Sequence, residues 1–293
     1  MNIIAQLLII SGMILIIVMA FKALWQHDLK KAILFDAAAQ AGYIIIGVAS
    51  SNKLAFIGGI FHLVNSAVYV SLMLLAAAAV KQQAKTLDMD SLGGLARRMP
   101  VTYVSFFIAA MALAGMPPLN GFVSKWLIYQ GLLQSAVIER MPLLLAALIV
   151  TILGSALTLA SSIKLLHATF LTTPSKQTLN AGETGFAMRA ALVTLAAICV
   201  LFGIFAFGLP LPVIISSLKY PYGVALFGFW QPVLAALLMF TAMAAGWLFY
   251  IIFLKKNTVR RDTAFTGCET PDKETYPTGT GFYQTLKDLR ILK

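Results

Sequence analysis

The chain has 293 residues, of which 60% are hydrophobic and only 11% charged, with a formal net charge of +11. A mean hydropathy of +0.87 and a charge content far below the ~25% of soluble domains exclude a water-soluble enzyme and mark a polytopic, all-α membrane protein. The two cysteines, Cys199 in an apolar run and Cys268 in a polar tail, exclude a disulfide framework, and without a Cys/His cluster, phosphate loop or nucleophile motif no metal, cofactor or catalytic chemistry is expected.

Runs long enough to cross a hydrocarbon core of ~30 Å predict seven spans, over residues 3–23, 32–50, 55–80, 101–135, 143–171, 186–209 and 227–254. The opening run lacks a basic flank and is followed by further spans, so it is not expected to be a cleaved signal. The fourth run is too long for one straight helix, since its 35 residues would reach ~52 Å at ~1.5 Å per residue. Pro117 and Pro118 remove two backbone donors and disfavour helical geometry there. Asn120 is placed to cap a second half-helix, with Gly121 easing the turn. Two half-helices meeting inside the membrane are expected, at a depth where irregular backbone survives only if protein buries it or water reaches it. Residues 255–293 are polar and rich in turn formers. They read as a cytoplasmic arm lying on a partner or on lipid headgroups, with 285–292 able to form a short amphipathic helix. No internal repeat is evident.

Lysine and arginine sort by side. Lys22, Lys30, Lys31, Lys81, Lys85, Arg97, Arg98, Lys176, Arg189 and eight more in the tail fall on one side, against Lys53, Arg140 and Lys219 on the other. The positive-inside rule puts the N-terminus outside and the C-terminus in the cytoplasm of a cell membrane. The basic excess is thus explained by topology, and no nucleic-acid partner is expected.

Ionisable side chains within spans are rare, and each is a candidate for function. Lys125, beside the predicted break, leads. On the second span Asp36, Gln40 and Tyr43 fall at i, i+4 and i+7, one helical face. His62, Ser66 and Tyr69 repeat that spacing on the third, with Asn65 beside them. Two such stripes can line a wet path in which Asp36 and His62 exchange protons. The plainer alternatives are that Asp36 pairs with Lys31 or Lys30 at the rim, that His62 is a satisfied core histidine, and that the Tyr, Ser and Asn residues are interhelical glue. Lys164 and His167, near the end of the fifth span, read as rim anchors whose stems snorkel to the surface. At Lys125, burial, the positive end of the second half-helix, carbonyls freed at the break and any neighbouring carboxylate act on the ammonium in opposite senses, so a charge moving nearby can switch its proton.

Three blocks resemble the antiporter-like membrane subunits shared by respiratory complex I, multisubunit Na⁺/H⁺ antiporters and energy-converting membrane-bound hydrogenases. Asp28-Leu29-Lys30-Lys31 with Gln40-Ala41-Gly42-Tyr43 is similar to that family's D-[IL]-K-[KR]…Q-x-G-Y segment. Phe61-His62-Leu63-Val64-Asn65-Ser66-Ala67 is similar to its histidine-bearing helix, and Gly115-Met116-Pro117-Pro118-Leu119-Asn120-Gly121-Phe122-Val123-Ser124-Lys125 to its broken helix. A weaker likeness joins Thr278-Gly279-Thr280-Gly281-Phe282-Tyr283 to tails of the hydrogenase branch. The resemblance implies one five-helix bundle over residues 1–171, to which the hydropathy pattern adds two spans over 172–254 and the polar tail over 255–293. It is the second of the family's two inverted repeats, and the first repeat's glutamate and lysine have no counterpart here.

The resemblance further implies a proton path through Lys125, His62 and Lys30. Ser66 and Val70 stand where many members carry a second histidine and a lysine, Asp36 stands where serine is usual, and Gln40 conforms. The expected function is a proton-translocating (or Na⁺-translocating) subunit of a larger redox-driven membrane complex, its partners being other membrane subunits and the bilayer. The alternative is a non-conducting structural spacer in the same kind of complex. A stand-alone carrier is the weakest reading, because one repeat needs a second for alternating access.

Overall fold

A computed structural model describes residues 1–138 and 140–218, together with scattered positions between 237 and 251. The predicted span 227–254, the tail 255–293, Lys219 and Cys268 lie outside the described residues or are covered only at those scattered positions. Within the described residues eight α-helices follow one another: α1 Ile3–Trp25, α2 Leu29–Ala49, α3 Lys53–Ala84, α4 Pro100–Ala114, α5 Asn120–Ile138, α6 Pro142–Leu166, α7 Phe186–Ile204 and α8 Pro210–Ser217. A π-helical turn, His167–Leu171, prolongs α6. By length and composition α1, α2, α3, α7 and α6 with its π turn are each able to cross a membrane.

Their ends carry the expected caps. Asn2 accepts from the N–H of Ala5, Asp28 from that of Lys31, and Asn52 from those of Leu54 and Ala55. Each satisfies donors that the first turn of a helix leaves open. α4 and α6 begin on Pro100 and Pro142, where a missing N–H costs nothing. The fourth predicted span is divided as expected: at 15 and 19 residues, α4 and α5 reach only ~22 and ~28 Å. The sixth differs from its predicted end at 209. α7 stops at Ile204, and a turn leads into α8, which starts at Pro210, because a proline opens a helix more readily than it continues one.

Small residues set the packing. A Cβ on Gly42 would lie 2.6 Å from the Gly12 carbonyl oxygen, and one on Gly59 would lie 3.1 Å from the backbone nitrogen of Val48, so α1, α2 and α3 approach closely, as membrane helices do where lipid offers no hydrophobic driving force. α3 runs through the middle of the bundle against α2, α4, α5 and α7. At one end of the bundle the loops interlock: Leu29 N–H donates to Leu87, Met89 N–H to His27, and Ser175 Oγ to Ser91. All nine basic residues assigned to one side from the sequence, apart from those of the tail, lie in this end's loops and adjoining helix turns.

α7 lies over the break between α4 and α5. A Cβ on Gly203 would sit 1.9 Å from the Pro118 carbonyl oxygen. Gly203→Ala is therefore expected to lose ~1–3 kcal/mol through overpacking, read as a lower thermal unfolding midpoint in detergent. Gly182→Ala, with nothing within 4 Å of its Cβ, should leave that midpoint unchanged.

Candidate functional site

The break begins at Gly115, whose φ of +85° puts it in the left-handed region that glycine adopts without penalty. The N–H groups of Gly115 and Met116 fold back onto the Met111 carbonyl at 3.1 and 2.9 Å, closing the end of α4. The Pro117-Pro118 peptide is cis, and α5 starts at Asn120. The role expected of Asn120 is corrected here. It is the first residue inside α5, not the cap before it, so its side chain turns sideways to α3: Asn120 Nδ2 donates to Asn65 Oδ1 at 3.1 Å, and Asn65 Nδ2 donates to the Asn120 carbonyl at 2.9 Å. Gly121 likewise serves close approach and not a turn, since a Cβ there would fall 1.8 Å from the Ala112 carbonyl oxygen.

Lys125 stands in the second turn of α5 and is 2% exposed. Helical side chains lean toward the N-terminus, which carries its ammonium back to the break. There Nζ donates to the Leu113 carbonyl at 2.8 Å, an oxygen left without a helical partner where α4 ends. Nζ also lies 4.6 Å from the centroid of the Tyr43 ring, within cation–π range. The Tyr43 hydroxyl is pinned by donation to the Thr151 carbonyl at 2.8 Å and by Ser155 Oγ at 3.1 Å. Ser155 in turn lies 2.6 Å from the Tyr129 hydroxyl.

The two polar stripes face each other. His62, fully buried, has Nδ1 2.9 Å from Ser124 Oγ and Nε2 3.3 Å from Gln40 Oε1 and 3.5 Å from the Tyr69 hydroxyl, which Ser66 holds at 2.7 Å. Either neutral tautomer finds partners. With the proton on Nε2, Gln40 accepts it and Ser124 donates to Nδ1. With the proton on Nδ1, Ser124 accepts it and turns its own hydrogen to the Asn120 or Gly121 carbonyl, at 3.3 and 3.2 Å. Tyr69 can then donate to Nε2.

Gln40 Nε2 donates to the Asp36 carbonyl at 3.3 Å. Asp36 is 0% exposed. Its Oδ2 accepts from Ser161 at 2.7 Å, its Oδ1 has no donor among the described residues, and it is within electrostatic reach of Lys125 and Lys164. The pairing with Lys30 or Lys31 weighed from the sequence is not made, because both lysines are exposed in the first turn of α2. Lys30 accordingly stands apart from the cluster that gathers Lys125, His62, Asp36, Gln40, Asn65, Ser66 and Tyr69.

The expected snorkelling of Lys164 is also corrected. It is 2% exposed, and Nζ donates to the carbonyls of Leu24 and Gln26 at 2.6 and 2.5 Å, at the end of α1. A cation placed against the negative end of a helix satisfies both the charge and the open carbonyls. Ser124, Tyr129 and Ser161 had not been singled out. Tyr129 is four residues after Lys125 and Ser161 three before Lys164, so helical spacing from each lysine was the signal that could have found them.

Over residues 1–158 the chain matches the family described as NADH:quinone oxidoreductase/Mrp antiporter, TM. The chain belongs to this family. It is 30% identical over 250 residues to formate hydrogenlyase subunit 3 of Escherichia coli, covering 79% of this chain and 40% of that protein. It is 28% identical to Na(+)/H(+) antiporter subunit A1 of Staphylococcus epidermidis, covering 66% of this chain and 26% of the relative. Its fold is similar to a chain of the archaeal membrane-bound sulfane sulfur reductase, with a TM-score of 0.82 at 24% identity over 98% of this chain and 48% of that one. The chain thus spans less than half the length of these relatives. The family and the helices make it a multi-pass membrane protein.

Replacing the Lys164 ammonium leaves the α1 carbonyls without their donor. Lys164→Met is expected to cost ~1.5–3 kcal/mol, the worth of hydrogen bonds to a charged group, seen as a lowered unfolding midpoint with faster hydrogen exchange around residues 24–29.

Proposed function

We propose that the chain is a proton-translocating, antiporter-like subunit of a larger membrane complex, with Lys125 as the group whose protonation gates the relay. The observation that carries this reading is the Lys125 ammonium, buried on a carbonyl of a broken helix beside a histidine that can hold its proton on either nitrogen. The relatives named for formate hydrogenlyase and for Na⁺/H⁺ antiport support membrane subunits as partners and ion movement as the activity. Protons suit the site better than Na⁺. Lysine and histidine exchange protons, whereas a sodium site needs several converging oxygens, and Asp36 is the one carboxylate in the described cluster.

The titrating groups of the relay are Lys125 and His62, both against the Tyr43 ring, and Asp36, which Ser161 holds within electrostatic reach of Lys125 and of Lys164 at the α1 end of the bundle; Ser124 and Gln40 orient His62. Asp36, lying between the fields of two lysines, supplies the titrating group that Ser66 and Val70 do not. Because Lys22, Lys30, Lys31, Arg97, Arg98 and Arg189 gather at that same end, the positive-inside rule makes it cytoplasmic, with the N-terminus outside. Lys30, exposed there, would meet the proton only at the surface. The spacer reading draws on Val70, which leaves the α3 turn after Ser66 without a basic side chain.

In membrane vesicles carrying the assembled complex, Lys125→Met is expected to reduce coupled proton uptake, followed with a pH-sensitive dye, to background while the subunit still co-purifies with its partners. His62→Leu and Asp36→Asn should each lower the rate by tenfold or more, in keeping with the ~10²–10⁴-fold contributed by positioned proton-transfer groups. Uptake unchanged in Lys125→Met would overturn the relay and leave the spacer.

A further inference from the structure

α4 and α7 run side by side from the basic end of the bundle toward its middle, and an apolar trough of about 660 Å³ opens between them. Its walls are Val101, Val104 and Ile108 on α4 and Val193, Ala197 and Val200 on α7, with Ser105 the only polar side chain in the lining. Val104 and Val193 are more than half exposed, so the trough opens laterally to whatever surrounds the bundle. The proton path lies elsewhere, among α2, α3, α5 and α6.

Two arginines stand near the starts of the helices that wall this trough, just outside its lining. On α7, Arg189 precedes Val193 by four residues and continues the stripe of Val193, Ala197 and Val200 on one helical face. On the other wall, Arg98 stands two residues before Pro100, the first residue of α4 and itself part of the lining. Each guanidinium is half-buried, and each has its Nε shielded with no hydrogen-bond partner among the described residues. Glu183, the carboxylate fixed at this end of α4, offsets part of that charge but forms no ion pair with either arginine among the described residues. Its oxygens accept from the Val101 N–H at 2.8 Å and the Thr102 hydroxyl at 2.6 Å.

We infer that the α4–α7 trough is a binding site for an anionic phospholipid of the surrounding leaflet, its phosphate held by Arg98 and Arg189 and one acyl chain lying along the apolar wall. Two features choose this occupant. A pair of arginines near the helix starts, just outside an uncharged trough, matches the layout of a phospholipid, polar at one end and hydrocarbon along the rest. Guanidinium groups also hold phosphate oxygens through paired N–H donors in a way that an ammonium does not.

The arginines, not the trough, set the selectivity. A lipid tail gains no hydrophobic energy by leaving other tails for an apolar groove, so any lipid fits the wall equally well. Basic side chains near the surface are what distinguish anionic from zwitterionic headgroups. A bound lipid would wedge α7 against α4 and so hold the helix that covers the break.

The test uses the full chain with its native partners, transferred to nanodiscs of mixed phosphatidylglycerol and phosphatidylcholine, with retained lipid counted by native mass spectrometry. The wild type is expected to retain phosphatidylglycerol in preference, and Arg98→Gln/Arg189→Gln to lose about tenfold of that preference. Arg97→Gln, at an exposed neighbour outside the trough, should keep it. Val104→Trp, which narrows the trough with both arginines present, should lower the amount of lipid retained. Equal retention of the two lipids by the wild type, an unaltered preference in the double variant, or retention undiminished by Val104→Trp would each overturn the inference. A wild-type chain holding no lipid would do the same and leave the trough to a partner helix. None of these outcomes depends on whether Lys125 carries protons.

Discussion

The bond from Lys125 Nζ to the Leu113 carbonyl is the contact on which the interior of this bundle depends. A lysine at the middle of a membrane helix costs ~2.5–3.5 kcal/mol on insertion scales. A hydrogen bond to a charged group returns ~1.5–3 kcal/mol, and a desolvated cation–π contact adds up to ~2 kcal/mol. These terms nearly offset one another, so the ammonium is tolerated without being locked in place. The balance exists only because α4 stops at Gly115. An unbroken helix would have used the Leu113 oxygen in its own ladder, leaving the amine to lipid. The break and the lysine are therefore one device: the end of α4 frees the carbonyl, and Lys125 supplies its donor.

The surrounding polar groups extend this logic across helices. Lys125 on α5, Asp36 on α2 and Lys164 on α6 place an acid between two bases, and each is held by at least one hydrogen bond. A proton gained or lost at one member changes the field at the next, and low surrounding polarity makes that change felt over distances that water would screen. Serines and tyrosines fill the spaces between: Ser161 donates to Asp36, Ser124 lies against His62, and Ser155 joins Tyr43 to Tyr129. The reciprocal Asn65–Asn120 pair does not titrate. It clamps the start of α5 to α3, so that the break keeps its position relative to His62.

Much of this arrangement was legible in the amino-acid sequence. Span lengths, the divided fourth span and the inward stripe of Asp36, Gln40 and Tyr43 follow from periodicity and from the energetic exclusion of open backbone in lipid. What was not legible depends on contacts between helices distant in the chain. Nothing local distinguishes an asparagine that caps its own helix from one that reaches across to Asn65. Distance from the end of a span made Lys164 look like a surface anchor, because the carbonyls it finds belong to α1, 138 and 140 residues away. Lys30 illustrates the converse. Its motif placed it with the path, yet a lysine in the first turn of α2 points to the rim whatever its neighbours in sequence.

The match to the family covers residues 1–158, and two essential contacts come from beyond it. Lys164 closes the carbonyl end of α1, and α7 covers one side of the break. Irregular backbone cannot face hydrocarbon, and the turn from Gly115 to Leu119 leaves oxygens that α4 and α5 do not satisfy. α7 covers that turn, with Gly203 set so close to the Pro118 carbonyl that no larger side chain fits. A glycine at the crossing lets the helix come against that carbonyl on one side of the turn, while Cys199 and Ala196, earlier on α7, pack into the core with α3 and α4. The five-helix bundle supplies the lysine and its carbonyl. The helix after it supplies the backbone contact at Pro118 that covers one side of the break.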